Sequence, residues 1–267
     1  MQITSNPYLW NQVWSQSTEK NMTEFWQWVK RESNSIRGKK IQNYIHTCIG
    51  DIDKLKTIEV GSGLGIYSFI FATLGADVTL LDYSEQALDL AQQCFRSNNL
   101  KAKFLLQDAL NLNPNIHGQY NVAMSFGTVE HFLYPERLKM IESHINLVRE
   151  GGIIAISVPN IAFLPHEILK AYLQHQKKWY LGYEGAFSRH ELFQLANSLK
   201  LSNLKVIGSA FLSDFQRYIQ IYRSTNFAQK LFGSSVAKSQ IIERASFLDN
   251  FCGADLVLLG TKKTDEY

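Results

Sequence analysis

Cysteine is scarce in this 267-residue chain, with only Cys48, Cys94 and Cys252. Three widely spaced thiols exclude a disulfide framework and fit a reducing compartment. No cysteine and histidine spacing matches a zinc site, so no metal is expected. No apolar run approaches the ~18 residues of a membrane-spanning helix, and Met1 to Trp10 holds no apolar stretch of the signal-peptide kind. Charge of one sign never forms a long block: 27 Lys and Arg stand against 24 Asp and Glu, a net +3. The short basic clusters at Arg37 to Lys40 and Lys177-Lys178 read as solvated faces, not as a nucleic-acid footprint. Internal repeats and low-complexity linkers are also missing. These absences lead to the expectation of a cytoplasmic protein with neither nucleic acid nor membrane as partner, acting as a monomer or homodimer.

What is present is alternation. Apolar runs at Thr57 to Val60, Asp77 to Leu81, Lys103 to Leu106, Tyr120 to Ser125 and Ile153 to Val158 predict five strands. Helical stretches separate them at Ile66 to Leu74, at Ser84 to Asn98, and from Pro135 to Gly151-Gly152, with Leu138, Ile141, Ile145 and Val148 as the expected buried stripe. Strands without polar alternation suit a parallel sheet covered on both faces. The pattern predicts a doubly wound α/β fold. Ser188-Arg189-His190-Glu191 reads as a capping box opening a helix to Leu199. Strands near Leu204 to Gly208 and Ala254 to Thr261 follow. Residues 1–49 and helical insertions around 161–187 and 212–250 stand outside this alternation. The division expected is a helical lid over 1–49 and one α/β domain over 50–267.

The strongest motif is Glu59-Val60-Gly61-Ser62-Gly63-Leu64-Gly65, where the first strand meets the first helix of the alternation. Glycines let the backbone approach a ligand closely, and the helix start offers free N–H groups to it. Dinucleotide enzymes space their glycines as G-x-G-x-x-G. From Gly61 that pattern needs glycine at position 66, where Ile66 stands, and the third glycine comes one residue early. A dehydrogenase is therefore disfavoured. Asp82 ends the second strand, where a carboxylate can accept both hydroxyls of a ribose. Gln107-Asp108-Ala109 follows the third strand, and Ser125-Phe126-Gly127-Thr128-Val129-Glu130-His131-Phe132 follows the fourth. All four segments converge on the carboxyl ends of adjacent strands, where open α/β sheets bind ligands.

These residues together resemble the class I S-adenosylmethionine-dependent methyltransferase family, in the group that modifies small molecules. The resemblance covers Thr57 to Pro159 and extends by pattern to the last two strands. It implies a Rossmann-like seven-stranded sheet with an antiparallel last strand. S-adenosylmethionine becomes the expected cofactor and S-adenosylhomocysteine its product. The glycine loop of Glu59, Gly61, Gly63 and Gly65 would hold the methionine part of the cofactor. Asp82 would hold the ribose with Tyr83 flanking the adenine, and Asp108, beside Ala109, the adenine amino group. Ser125, Phe126, Glu130 and His131 would border the methionine end and the reacting centre. Asn-Pro-Pro-Tyr, typical of relatives that methylate amide or exocyclic nitrogens, is replaced here by Ser-Phe-Gly-Thr. That argues against DNA adenine and glutamine side chains as acceptors.

The expected reaction is an in-line methyl transfer to an oxygen or nitrogen of a small-molecule acceptor, which depends chiefly on alignment in a dry pocket. Two readings stand for His131: a general base for an acceptor that loses a proton, or a helix-start residue that shapes the pocket. Glu130 would position the cofactor or a cationic acceptor. His166, His175 and His190 are assigned to packing or surface. Four of the five tryptophans lie within the first thirty residues, so Tyr8, Trp14 and Trp26 are candidate acceptor contacts, with Trp179 and Tyr183 on the opposite wall. Methyl transfer to protein or RNA, and a non-catalytic cofactor-binding subunit, remain the rival functions.

Overall fold

The structure, a computed structural model, describes residues 5–15, 18–199, 201–224, 241 and 243–264. Part of the expected insertion at 212–250 therefore lies outside the described residues.

Seven strands form one sheet: β1 (Lys56–Val60), β2 (Asp77–Asp82), β3 (Lys103–Leu106), β4 (Tyr120–Phe126), β5 (Val148–Pro159), β6 (Leu201–Ser209) and β7 (Asp255–Lys262). Their order is β3-β2-β1-β4-β5-β7-β6. The pairs among β1 to β5 are parallel, and β7 runs antiparallel to both β5 and β6. The fold is thus the Rossmann-like sheet with an antiparallel last strand that the resemblance implies. Successive residues on β5 and β7 serve opposite faces. Ile153, Ala155, Val257 and Leu259 join one core, whereas Ile154, Ile156, Leu256 and Leu258 join the other. Apolar residues on both faces explain why these strands read as unbroken apolar runs.

The first core is covered by α2 (Thr18–Ser33), α3 (Ile36–Ile49), α4 (Ile66–Thr73) and α5 (Glu85–Arg96). Phe25, Ile41, Tyr44, Phe71 and Phe95 are its large buried members. Residues 18–49 thus contribute core side chains as well as a wall. The remaining segment, α1 (Pro7–Trp14), buries no residue fully. Asn6 caps it through Leu9 N–H at 2.9 Å, and Pro7 sits where a missing N–H costs nothing.

The second core is covered by α6 (Glu136–Leu147) and α8 (Arg189–Ser198). Helix α6 ends at Leu147, and Gly151-Gly152 belongs to β5 rather than to the helix end. Its buried side is Arg137, Met140, Ile141, Ser143, His144 and Leu147, while Leu138 and Ile145 are only partly buried. The rotation from the expected stripe follows from Arg137. Its guanidinium lies 4.0 Å from the Phe187 ring centroid and donates to the carbonyls of Phe132 and Gly185 at 3.1 and 2.8 Å. Ser188 caps α8 through Glu191 N–H at 3.0 Å. The Glu191 carboxylate pairs with Arg137 at 3.1 Å instead of reaching back to Ser188. Helices α7 (Leu164–His175), α9 (Phe211–Ser224) and α10 (Asp249–Cys252) are the described additions beyond β5.

Candidate active site

Strands β1 and β4 lie side by side at the point where the strand order reverses. Open α/β sheets have their crevice there, beyond the carboxyl ends of the strands. A cavity of about 770 Å³ opens at that place, within the range of ~300–1,000 Å³ usual for small-molecule sites.

One half is built by β1, β2 and the turns after them. Gly61, Gly63 and Gly65 all have positive φ, at +60°, +51° and +69°, a region that costs other residues strain. A Cβ on Gly63 would stand 2.8 Å from Trp14, and one on Gly65 would collide with Leu80. The buried Asp82 carboxylate accepts the N–H of Gly63 at 2.8 Å and of Ser84 at 2.9 Å. It therefore fixes the glycine loop to the end of β2 and keeps lone pairs toward the cavity. Burial raises its pKa, and those N–H bonds oppose the rise. Glu59, also buried, accepts Ser68 N–H at 2.8 Å, and burial pushes its carboxyl up to about 7. Asp108 caps the turn after β3 through Leu110 N–H at 2.9 Å. Next to it, Gln107 Oε1 is buried without a partner. Both residues line the cavity, as do Tyr83 and Ala109.

Helix α1 closes this half from above. The Ser5 hydroxyl bonds Tyr83 Oη and also accepts Trp10 Nε1–H at 2.9 Å. Ser84 Oγ donates to Asn11 Oδ1 at 2.7 Å.

The other half is lined by the turn after β4 and by the additions beyond β5. Glu130 is 3% exposed, and its Oε2 has no hydrogen-bond partner. Burial, with the nearby Glu184 carboxylate, pushes its carboxyl up to about 8. His131 is buried, and Trp10 meets its ring edge-on at 4.9 Å between centroids. Its Nδ1 lies 2.8 Å from the Tyr183 carbonyl, an acceptor only, so Nδ1 carries the proton and Nε2 keeps a lone pair. Burial lowers the pKa of this imidazole.

Of the residues singled out from sequence, Glu59, Gly61, Gly63, Asp82, Tyr83, Asp108, Ala109, Phe126, Glu130, His131 and Trp14 line the cavity. Gly65 lies behind it against Leu80 and Phe95. Ser125 is fully buried in β4. Trp14, a candidate acceptor contact, stands against Gly63 of the glycine loop. Tyr8 is 73% exposed and accepts from Gln12. Trp26 packs edge-on against Phe25 and Phe69. Trp179 donates to the Gly182 carbonyl at 2.9 Å, and Tyr183 reaches the site through its carbonyl. None of these four lines the cavity, whereas Trp10 and Trp28 do. His166, assigned to packing, lines it together with Glu184 and Tyr218. Among the described residues, no cluster of three or more His, Cys, Asp or Glu is arranged to hold a metal ion. Nor is any helix there long and apolar enough to cross a membrane.

A glycine loop, two acids at the ends of neighbouring strands and a buried His/Glu pair define a nucleoside-cofactor site on a doubly wound sheet. Comparison with known proteins narrows the class. A family profile described as a methyltransferase domain matches residues 58–152. Ubiquinone biosynthesis O-methyltransferases of Shewanella pealeana and Leptothrix cholodnii are each 30% identical to this chain, over 118 and 119 residues. Those alignments cover 44% of this chain and 49% and 50% of the relatives, so the chain spans about half the length of the relatives it matches. Among solved structures, an S-adenosylmethionine-dependent methyltransferase from Thermotoga maritima matches with a TM-score of 0.58. It is 17% identical and covers 96% of this chain and 99% of its own. The magnesium protoporphyrin IX methyltransferase of Synechocystis, solved with S-adenosylhomocysteine bound, matches at a TM-score of 0.51 and 14% identity, over 84% of this chain and 82% of its own. These two likenesses concern the fold. Residues 58–152 thus match a methyltransferase domain, and the chain is similar to class I S-adenosylmethionine-dependent methyltransferases.

Proposed function

We propose that this protein transfers a methyl group from S-adenosylmethionine to an oxygen or nitrogen of a small-molecule acceptor. The observation that carries the reading is one continuous cavity with two unlike halves. One is made of backbone turns and strand-end acids, the other of the buried Glu130 and His131. The name shared by the matched relatives favours oxygen as the methylated atom.

The residues present fit the cofactor. Gly61 and Gly63 line the cavity with bare backbone, where a Cβ would run into Thr128 or Trp14. Asp82 retains lone pairs for ribose hydroxyls, and Asp108 with Tyr83 and Ala109 offers a polar edge and a flat wall for adenine. Bound there, the cofactor supplies an electrophilic methyl group on a sulfonium. The protein must then align the acceptor and keep water out, effects that account for ~7–11 kcal/mol in well-oriented systems. Trp10, Trp14 and Phe126 form apolar walls suited to that task. His131, neutral with a free Nε2, takes the acceptor proton where one must leave, a step worth ~10²–10⁴-fold. Glu130, largely protonated at neutral pH, presents a hydrogen-bonding group without adding a buried charge.

Incubation with methyl-labelled donor and a cell extract split by size tests this reading. Label is expected in the small-molecule fraction. Label confined to protein or RNA, or no transfer at all, would contradict it.

A further inference from the structure

Beyond His131 and Glu130, the cavity carries a second chain of polar groups that the methyl-transfer reading does not use. His166 on α7 places Nε2 2.5 Å from Glu184 Oε1 and Nδ1 2.7 Å from Tyr218 Oη on α9. Lys170, one turn further along α7, lies 3.7 Å from the same carboxylate and donates to the Glu184 carbonyl at 3.3 Å. All three members of the chain line the cavity, and all lie outside residues 58–152.

Proton positions follow from Glu184. Burial alone would raise its pKa, but the hydrogen bond from His166, the charges His166 and His131 carry when protonated, and the charge of Lys170 outweigh burial and hold the carboxyl below its ordinary value. An ionised Glu184 only accepts, so His166 Nε2 carries a proton. With the ring neutral, its lone pair lies on Nδ1, and Tyr218 donates its O–H there. Burial, followed by the charges of Asp214, Asp255 and Glu184, raises the Tyr218 pKa and keeps the phenol protonated. In that state Tyr218 Oη offers lone pairs alone to the cavity.

The surroundings specify what fits those lone pairs. Acids in this half are already matched by cations: Asp214 by Arg31 and Arg217, Asp255 and Glu32 by Arg37, Glu184 by Lys170. With Glu130 largely protonated, none of these carboxylates is left over for a cationic group. Phe163 packs edge-on to Tyr218 at 5.4 Å. An uncharged donor on an apolar frame suits this place.

We propose that His166 is neutral with its proton on Nε2, and that Tyr218 is a specificity-determining residue whose phenol oxygen receives a hydrogen bond from a hydroxyl of the acceptor. His166 and Glu184 are positioning residues that turn the Tyr218 proton away from the cavity. This inference rests on the methyltransferase reading for the identity of the cavity, though its test does not.

Phenol and toluene, alike in shape and differing by one hydroxyl, are the probes. Calorimetric titration into the wild-type protein, free and loaded with S-adenosylhomocysteine, is expected to show phenol binding about tenfold tighter than toluene. Tyr218→Phe and His166→Gln should remove that preference while S-adenosylhomocysteine affinity stays at the wild-type value. ¹⁵N spectra should show His166 neutral with its proton on Nε2. Three results would each overturn the proposal: no preference for phenol in the wild type (including binding of neither probe), a preference that survives in Tyr218→Phe, or His166 protonated on Nδ1. Failure of S-adenosylhomocysteine to bind would instead strike the methyltransferase reading, because the comparison of probes is also made on the free protein.

Discussion

Glu130 and Glu59 carry carboxyl groups that burial makes reluctant to ionise. Glu130 titrates near 8 against an ordinary 4.5. Between those values the folded chain keeps a proton that the unfolded chain has released, so stability falls as pH rises through that window. Glu59, raised to about 7, acts with the same sign. Glu130→Gln should therefore flatten, without abolishing, the loss of thermal stability of the free protein between about pH 5 and pH 8. A variant with the wild-type slope would show that Glu130 ionises freely. Asp82→Asn keeps the size of the side chain but replaces one acceptor oxygen with a donor. Because Asp82 both accepts Gly63 N–H and faces the cavity, S-adenosylhomocysteine affinity should fall by roughly 1.5–3 kcal/mol; equal affinity by calorimetry would leave Asp82 only the loop to hold. His131→Ala should reduce turnover and remove the acidic limb of the pH profile, with cofactor affinity nearly kept. Unchanged turnover and profile would leave alignment as the chief catalytic effect.

At the scale of elements, the amino-terminal helices divide into two roles. Helix α2 inserts Phe25 into the core, and Glu32 near its end pairs with Arg37 at 3.1 Å. Removing it would open a cavity in the fold, at ~3–5 kcal/mol for a buried phenylalanine. Helix α1 instead lies over the cofactor half through Ser5, Trp10, Asn11 and Trp14. We propose it as the lid, excluding water from the reacting centre. Deletion of residues 1–17 should leave a cooperatively folded protein that binds S-adenosylhomocysteine weakly and no longer transfers a methyl group. Full transfer by the truncated chain, measured with labelled donor, would count against the lid.

The sheet was legible from the sequence because apolar runs covered on both faces leave an unmistakable pattern, as at Ile153 to Val158. The glycine loop and Asp82 were legible because their chemistry requires fixed local spacing. Other features depend on contacts distant in sequence. Arg137 turned α6 by finding Phe187, Gly185 and Glu191, partners some fifty residues away that no local periodicity reveals. His166, Glu184 and Tyr218 form one chain across 52 residues, with no motif linking them. The tryptophans signalled an aromatic cover, yet Trp10 and Trp28 face the cavity while Trp26 packs on Phe69. The choice depends on the angle at which each helix docks. Across the whole molecule, the cavity at the β1/β4 switch point unites what the sequence showed with what it concealed. Calorimetric titration of the purified protein with S-adenosylhomocysteine and, separately, with NAD tests that centre most directly: S-adenosylhomocysteine should bind with a one-to-one stoichiometry and NAD should give no heat, whereas tight NAD binding with no response to S-adenosylhomocysteine would contradict the assignment of the glycine loop, Asp82 and Asp108 to a sulfonium cofactor.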